Sequence, residues 1–199
     1  MVRRLLDGRR RLVIADGGLK LQQRLFVDHA AAAVLLAVDR PAETAGRFLA
    51  VGEQPLYTIR QRIEAICRAL GREPDRDVEL VDLPWDLARP AHYLWGRSAG
   101  HGLADDQPIR DLGFRETVPA DEAIARTVRW LAEHRARYAA DWDAQVDDTF
   151  DYAGEDALLA AWDRARADLG RIPIQSRRPA HRYRLPAAPG DHWSRPEQD

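Results

Sequence analysis

The residue types best suited to chemistry are concentrated in residues 85–102, where neither helical nor strand periodicity holds. Four side chains in this stretch could line a substrate pocket with aromatic faces and two titratable donors: His92, Tyr93, Trp95 and His101. The same composition is typical of a loop packed by its own side chains, and we favour that interpretation. The histidine spacing does not match a zinc site, and Cys67 falls on the apolar face of a predicted helix, so we expect no metal.

The elements that would position these side chains are organised around residues 11–51. Short apolar runs, a glycine pair and an alanine-rich segment predict the following order: a strand (12–14), a turn (16–18), a strand (25–27), a helix (28–38) and a strand (47–51). We expect Asp28 to cap the helix at its start. Pro41 ends it, because the residue before a proline is forced out of the α region.

A second unit follows directly and gives the fold class. The clearest helix in the sequence begins at Thr58, which forms a capping-box pattern with Gln61, and Gly71 closes it. Residues 78–83 then predict a buried strand. A helix between two strands is a β-α-β unit, and its strands pair in parallel. The sequence therefore predicts an α/β fold.

Further helices and a tail complete the predicted organisation. Four helices are expected besides those above: one ending at Gly8, one capped by Asp105 or Asp106, one opening near residue 118 and one over residues 155–169. Residues 171–199 are rich in proline and charge without periodicity, which predicts a tail that wraps the surface or is disordered. We therefore predict two parts, residues 1–139 and residues 140–199.

Composition narrows the class of protein and its surroundings. Apolar residues make up 45% and charged residues 31% of the 199 residues, as in soluble globular proteins. The net charge of −2 argues against nucleic acid or an anionic membrane as a partner. The single cysteine excludes an intramolecular disulfide, and no apolar run is long enough to span a bilayer. We expect a cytoplasmic protein.

Five motifs occur in a defined order along the chain: Gly17-Gly18, Arg24-x-Phe26-Val27, Asp39-Arg40-Pro41 after the alanine-rich helix, Gly46-x-Phe48-x-x-Val51-Gly52-Glu53, and Asp106-x-x-x-Arg110-x-Leu112-Gly113-Phe114. In this order they resemble the second half of the NAD(P)-dependent epimerase/dehydratase family, the extended short-chain dehydrogenase/reductase group. The resemblance ends near Arg135. It implies the last parallel strands and helices of an incomplete Rossmann-like unit, joined to a substrate-binding subdomain.

The resemblance also implies which motifs this chain lacks. Active members need a glycine-rich turn that approaches a pyrophosphate, and a Tyr-x-x-x-Lys pair in which the lysine lowers the tyrosine pKa. No glycine motif of that spacing occurs, and Lys20, the only lysine, has Asp16 four residues before it. We therefore expect no catalytic and no cofactor-binding residue in this chain alone, although the family uses NAD or NADP.

On the substrate side, Arg24 matches the arginine that contacts a substrate phosphate in sugar-nucleotide members of the family, and a guanidinium suits that geometry. The alternative is that Arg24 pairs with a carboxylate beside the predicted turn. Gly17 and Gly18 are expected to be turn residues rather than ligand contacts. His29 is expected to cap or pack at the start of its helix rather than to catalyse.

These arguments favour one function and leave a second open. The first is the substrate-binding C-terminal portion of an NAD(P)-dependent epimerase, dehydratase or reductase. Its substrate would be a sugar nucleotide or another small carbonyl or hydroxyl compound, and it would be inactive alone. The second is a non-catalytic interaction protein that pairs through an open sheet edge with a second copy or with a separate N-terminal half. No N-cap precedes the first predicted helix, which favours a truncated or split protein.

Overall fold

Two strands form the centre of the computed structural model, which describes residues 1–88, 100–137, 148 and 150–175. Strand β1 (Arg11–Ala15) pairs in parallel with strand β2 (Glu79–Leu83), and Val13 lies opposite Val81. The chain between them forms helices, so the predicted β-α-β unit and its parallel pairing are confirmed. The described chain is a mixed α/β fold with a short parallel sheet.

Seven α-helices lie within the described residues: α1 (Val2–Leu6), α2 (Val27–Asp39), α3 (Pro41–Thr44), α4 (Ile59–Ala69), α5 (Gln107–Asp111), α6 (Ala120–Glu133) and α7 (Tyr152–Gly170). None of them is both long and apolar enough to cross a membrane. The chain divides into two compact units, Met1–Trp162 and Asp163–Asp199. The sheet and the candidate site described below belong to the first unit.

The two faces of the sheet pack against different helices. Successive side chains of a strand point to opposite faces, so neighbouring residues of β1 enter different cores. Leu12 packs in one core with Ile63 of α4. Val13 packs in the other with Val81 and with Leu159 of α7. Helix α7 therefore covers one face of the sheet, while α4 and α6 cover the other.

Helix α2 is packed on one side and exposed on the other. Ala33 joins a third core cluster with Ile109 and Phe114. Besides Asp28 and Asp39 near its ends, the exposed residues of α2 are all apolar: Val27, Ala31, Val34, Leu35 and Val38. At 3.6 residues per turn these positions fall within an arc of about 100°. Helix α2 thus presents a continuous apolar stripe to solvent.

The strands predicted over residues 25–27 and 47–51 are wrong. Helix α2 already begins at the last residue of the first segment, and the Phe26 amide donates to the Glu53 carboxylate at 2.5 Å instead of to a neighbouring strand. Residues 47–51 form no strand, and Phe48 is 94% exposed. A short apolar run fits a packed loop as well as a strand, because a strand also needs a neighbour with free backbone groups.

The helix caps confirm the predicted capping box, correct the role of Asp28 and distinguish Asp105 from Asp106 at the start of α5. Thr58 and Gln61 form the capping box at the start of α4. Asp28 lies inside the first turn of α2 rather than at its cap, where its charge still favours the helix N-terminus. Asp106 occupies the N-cap position of α5 but makes no capping bond with its side chain. Instead, the Asp105 carboxylate accepts from a backbone amide of the first turn at 3.0 Å.

Candidate functional site

The residues predicted to form a site lie only partly within the described chain. Three of them are outside the described residues: His92, Tyr93 and Trp95. The Nδ1 atom of His101 accepts a hydrogen bond from the Leu21 amide at 2.9 Å. His101 therefore holds together two loop segments that follow the two strands. Arg24 lies elsewhere, in the wall of a cavity.

A glycine turn closes the carboxyl end of β1 beside β2. Asp16, Gly17 and Gly18 have φ angles of 47°, 66° and 68°, a region in which glycine meets no steric penalty. The Gly17 amide donates to Asp82 Oδ1 at 2.5 Å, and its carbonyl accepts from Arg60 Nε at 3.0 Å. A Cβ atom on Gly18 would lie 3.0 Å from the Arg60 amide nitrogen. The predicted turn is therefore formed, and its polar groups at Gly17 bind other parts of the protein.

The cavity that Arg24 lines has a volume of about 230 Å³. Helices α4 and α6 contribute apolar walls, with Ile66 on α4 and Ile124 on α6. Within the described chain, three charged side chains line the same cavity: Arg24, Arg62 and Glu53. Among the described lining residues, two positive groups and one negative group give a net positive charge, which favours an anion.

Arg62 is a half-buried cation that an aromatic ring positions. Its guanidinium lies 5.8 Å from the centre of the Tyr57 ring, and the Tyr57 hydroxyl donates to Asp121 Oδ1 at 2.9 Å. Within the described residues Arg62 forms no ion pair. Burial lowers the pKa of Arg62; the nearby negative charge of Glu53 raises it, and the positive charge of Arg24 lowers it. Arg62 is therefore an incompletely neutralised positive charge beside the cavity.

Arg24 is the second cation of the cavity. Its Nη2 atom donates to Gln22 Oε1 at 2.9 Å. The residue is exposed, and desolvation lowers the pKa of its guanidinium. Desolvation disfavours the charged form of both Arg24 and Arg62. An anion bound next to both guanidinium groups would therefore stabilise their charged forms.

Glu53 is held in place by the backbone and by a histidine. Its Oε1 atom accepts from the Phe26 amide at 2.5 Å and from His29 Nδ1 at 2.9 Å. His29 is fully buried, and its Nε2 atom accepts from the amides of Thr117 and Val118 at 3.1 and 3.3 Å. Because Nε2 accepts, the proton of the neutral imidazole lies on Nδ1. His29 therefore has a packing and positioning role at the start of α2.

The Asp106-x-x-x-Arg110 motif forms an ion-pair cluster beside the loop that carries Glu53. Arg110 Nη2 donates to Asp106 Oδ2 at 2.9 Å, to Glu116 Oε1 at 2.6 Å and to the Gly52 carbonyl at 3.0 Å. The hydrogen bond from Arg110 lowers the pKa of Glu116 to about 2. The charged residues of this motif are thus engaged with each other and hold the loop, which explains why Asp106 does not cap α5.

Arg62 and Glu53 were not predicted from the sequence to be site residues. The sequence contained one indication that Arg62 lies near the protein interior. Arg62 comes four residues before Ile66, so it borders the apolar face of an amphipathic helix. Long charged side chains in that position usually reach past the apolar face to solvent. Glu53 stood out only as part of a family motif. Its contact with His29 joins residues that are distant in sequence.

Two other kinds of chemistry find no support in the described chain. Cys67 is buried, and burial raises the pKa of its thiol to about 11, so the thiol stays protonated near neutral pH. Within the described residues, no group of three or more His, Cys, Asp or Glu side chains could hold a metal ion. The cavity with Arg24 and Arg62 is therefore the candidate site.

Comparisons with known proteins show that the chain is similar in structure to several solved proteins. No family model matches the sequence. No curated protein matches it either. The structure is similar to the crystal structure of a dTDP-glucose 4,6-dehydratase from Bacillus anthracis in complex with NAD, with a TM-score of 0.48 and 17% sequence identity. The similarity covers 68% of this chain and 38% of the dehydratase chain, so this chain spans well under half the length of that protein.

Proposed function

We propose that this chain is the substrate-binding portion of a protein of the NAD(P)-dependent epimerase/dehydratase type, and that Arg24 contacts a phosphate group of a small-molecule substrate such as a sugar nucleotide. The observation that carries this proposal is the position of Arg24 in the wall of a cavity with a net positive charge. The sequence resemblance supports it, because Arg24 falls on the family's phosphate-contacting arginine. A guanidinium binds a phosphate through two parallel N–H···O bonds.

The apolar walls of the cavity strengthen this binding. Ile66, Ile124 and Val128 line the same cavity as the charged groups. Charged hydrogen bonds are stronger where the surroundings exclude water, because the local dielectric constant is lower. The same walls favour a ligand with an apolar or weakly polar surface next to its phosphate group.

We also propose that the chain binds substrate without converting it. Hydride transfer in the resembled family needs a cofactor cradle and a Tyr-x-x-x-Lys pair, and the sequence contains neither. Redox chemistry would then require NAD or NADP together with catalytic residues that lie outside these 199 residues. Those residues would belong either to a separate N-terminal half or to the rest of a longer polypeptide. NAD(P)H-dependent turnover by the purified 199-residue chain would contradict this part of the proposal.

Calorimetric titration tests the binding role of Arg24. UDP-glucose would be titrated into the wild-type protein and into Arg24→Gln, with uridine as a ligand that lacks phosphate. We expect wild-type protein to bind UDP-glucose and not uridine, and the variant to bind at least about tenfold more weakly. Arg126→Gln is the matched control, because Arg126 lies on α6 and pairs with Glu122 at the surface. Equal binding by the wild type and Arg24→Gln would contradict the proposal.

The second candidate, a non-catalytic interaction protein, has its own supporting observations. In the described chain each strand of the sheet pairs on one side, which leaves two open edges. The apolar stripe of α2 also exposes 62–69% of Val27, Val34, Leu35 and Val38. Hydrogen exchange distinguishes the two functions. An interaction protein would show amides of β1 or β2 that become protected only when a second copy or another chain is bound.

A further inference from the structure

The segment that carries Arg24 is hydrogen-bonded along its backbone to three other parts of the chain. The Gln22 amide donates to the Tyr57 carbonyl at 3.2 Å. The Arg24 carbonyl accepts from the Glu53 amide at 3.1 Å. The third contact is with residues 101–104. Exposed connecting segments are usually mobile, and these bonds instead hold the backbone on both sides of Arg24 in one conformation.

The loop at Gly102 makes this third contact through backbone and side-chain groups. The Gly102 amide donates to the Leu21 carbonyl at 3.0 Å, and the Gly102 carbonyl accepts from the Gln23 amide at 2.9 Å. The Leu21 amide donates to His101 Nδ1, also at 2.9 Å. The Ala104 amide donates to Gln23 Oε1 at the same distance. His101 and Gln23 therefore each add a side-chain acceptor to a pair of backbone hydrogen bonds.

Gln22 extends this order from the backbone to the guanidinium of Arg24. Arg24 Nη2 donates to Gln22 Oε1 at 2.9 Å. A long arginine side chain samples many rotamers, and fixing one of them costs conformational entropy. A hydrogen bond that orients the side chain before a ligand arrives reduces the entropy lost on binding. The Gln22 amide therefore preorganises the guanidinium.

We propose that Gln22 and His101 are positioning residues for Arg24: Gln22 orients the guanidinium, and His101 fixes the backbone from which Arg24 extends. This inference rests on the proposed function, because it explains how the phosphate-contacting arginine is held. Among the described residues, Gln22 and His101 do not line the cavity, whereas Arg24 does. The proposal thus replaces the expected substrate contact of His101 with a role that acts through Arg24.

The hydrogen bond of His101 defines which of its ring nitrogens carries this role. Because Nδ1 accepts from the Leu21 amide, the proton of a neutral imidazole lies on Nε2. An asparagine side chain carries an acceptor oxygen close to the position of Nδ1. A glutamine side chain is longer and places its amide group close to the position of Nε2. The two substitutions therefore distinguish a positioning role of Nδ1 from a ligand contact of Nε2.

The first experiment titrates UDP-glucose by calorimetry into the wild type and into three variants of His101. His101→Leu should bind about three- to tenfold more weakly, which corresponds to one lost hydrogen bond between neutral groups. His101→Asn should restore binding, and His101→Gln should not. Recovery in His101→Gln without recovery in His101→Asn would overturn the proposal. His134→Leu is the control, because His134 stacks on Trp130 near the surface.

Hydrogen exchange shows whether the His101 variants act at the expected hydrogen bond. The Leu21 amide should exchange faster in His101→Leu than in the wild type and should regain its protection in His101→Asn. Thermal unfolding of the same variants separates a local change from a loss of the fold. An unchanged exchange rate of the Leu21 amide in a folded His101→Leu protein would overturn the role of Nδ1.

The second experiment changes the contact with the guanidinium itself. Gln22→Met keeps the length of the side chain and removes the acceptor, so it should weaken binding of UDP-glucose about three- to tenfold. Gln22→Glu places a negative charge on Arg24 that competes with the ligand, so it should weaken binding at least about tenfold. Gln107→Met is the control, because Gln107 bonds Asp111 on α5. Wild-type affinity in Gln22→Glu would overturn the role of Gln22.

A double-mutant cycle tests whether His101 acts through Arg24. Two substitutions that affect the same interaction are not additive. His101→Leu should therefore weaken binding in the wild-type background and have no further effect in Arg24→Gln. Additive losses in the double variant would overturn the proposal, because His101 would then act on the ligand independently of Arg24.

The outcomes separate this inference from the proposed function. If Arg24→Gln weakens binding while His101→Leu and Gln22→Met bind like the wild type, the inference is wrong and the proposed function stands. If the wild type does not bind UDP-glucose, or if Arg24→Gln binds like the wild type, the proposed function fails and the inference fails with it. Weaker binding in His101→Leu and Gln22→Met, with recovery in His101→Asn, supports the inference.

Discussion

His29 Nδ1 lies 2.9 Å from Glu53 Oε1, and both side chains are buried. This contact joins the start of α2 to the loop at residue 53, across 24 residues of sequence. The opposite ring nitrogen of His29 accepts from two backbone amides, so the imidazole connects three segments of the chain. The position of one charged wall of the cavity therefore depends on a neutral, fully hydrogen-bonded histidine.

Replacing His29 should destabilise the fold. His29→Ala would remove one of the two hydrogen bonds of the Glu53 carboxylate, leave two amides without their partner and open a cavity at the start of α2. We expect a loss of about 2–4 kcal/mol in the free energy of unfolding, measured by urea denaturation. His134→Ala is the control, since His134 stacks on Trp130 near the surface, and should cost about 1 kcal/mol or less. Similar losses for both variants would contradict this role of His29.

The ion pairs of Arg4 are predicted to be essential for stability. Arg4 donates to Asp148 at 2.5 Å and to Glu155 at 2.9 Å, and all three side chains are buried. Arg4→Met leaves two buried carboxylates without a cation and should cost about 3–5 kcal/mol. Arg3→Met on the same helix breaks a partly exposed pair with Asp7 and should cost about 1 kcal/mol or less. Urea denaturation of both variants checks the difference, and equal midpoints would refute it.

Helix α7 is predicted to stabilise the sheet by covering one of its faces. Leu159 is 2% exposed and belongs to the core formed with Val13 and Val81. Leu159→Ala should therefore lower the free energy of unfolding by about 2–4 kcal/mol. Leu169→Ala, at an exposed position on the same helix, should change it by less than about 0.5 kcal/mol. A small effect of Leu159→Ala in thermal denaturation would show that α7 does not cover the sheet.

The pair between Arg110 and Glu116 predicts a dependence of stability on pH. The folded pKa of Glu116 is about 2, below the ordinary value of 4.5, so its contribution is complete above about pH 4.5 and is lost as the pH falls towards 2. Because the pair is partly exposed, we expect this contribution to be about 1–2 kcal/mol. Glu116→Gln should be less stable than the wild type at neutral pH.

Acid denaturation curves test this pH dependence directly. The difference in stability between the wild type and Glu116→Gln should shrink between pH 4.5 and 2, where the wild-type carboxylate becomes protonated. Glu122→Gln is the control, because Glu122 forms an exposed pair with Arg126 and should show a smaller difference. A gap between Glu116→Gln and wild type that persists unchanged at pH 2 would contradict the assignment.

Local signals in the sequence were sufficient to predict the centre of the fold, which is helix α4 and the parallel pair of strands. Thr58 and Gln61 marked the start of α4 through a capping box, which depends on residues three positions apart. The apolar runs of β1 and β2 on either side of a helix predicted parallel pairing. These features rest on short-range geometry and on the direction of the chain, so a single sequence is enough to infer them.

The features that the sequence analysis missed depend on contacts between distant residues. Residues 47–51 have the composition of a strand, but no described strand pairs with them. The packing of Leu159 against β1 could not be inferred, because the helical pattern of α7 does not specify which surface it covers. Arg62 was missed for a similar reason. Its position on α4 is ordinary for a surface arginine, and only the walls of α6 and the nearby Arg24 turn it into a cavity residue.

The most direct test of the central claim is an NMR titration that observes the Nε–H signals of individual arginines. UDP-glucose would be added to the isotope-labelled wild-type chain, with Arg24→Gln, Arg62→Gln and Arg126→Gln used to assign the signals. We predict that the signals of Arg24 and Arg62 shift together and saturate at the same ligand concentration, while that of Arg126 stays in place. An unchanged Arg24 signal in a folded protein at high ligand concentration would contradict the account.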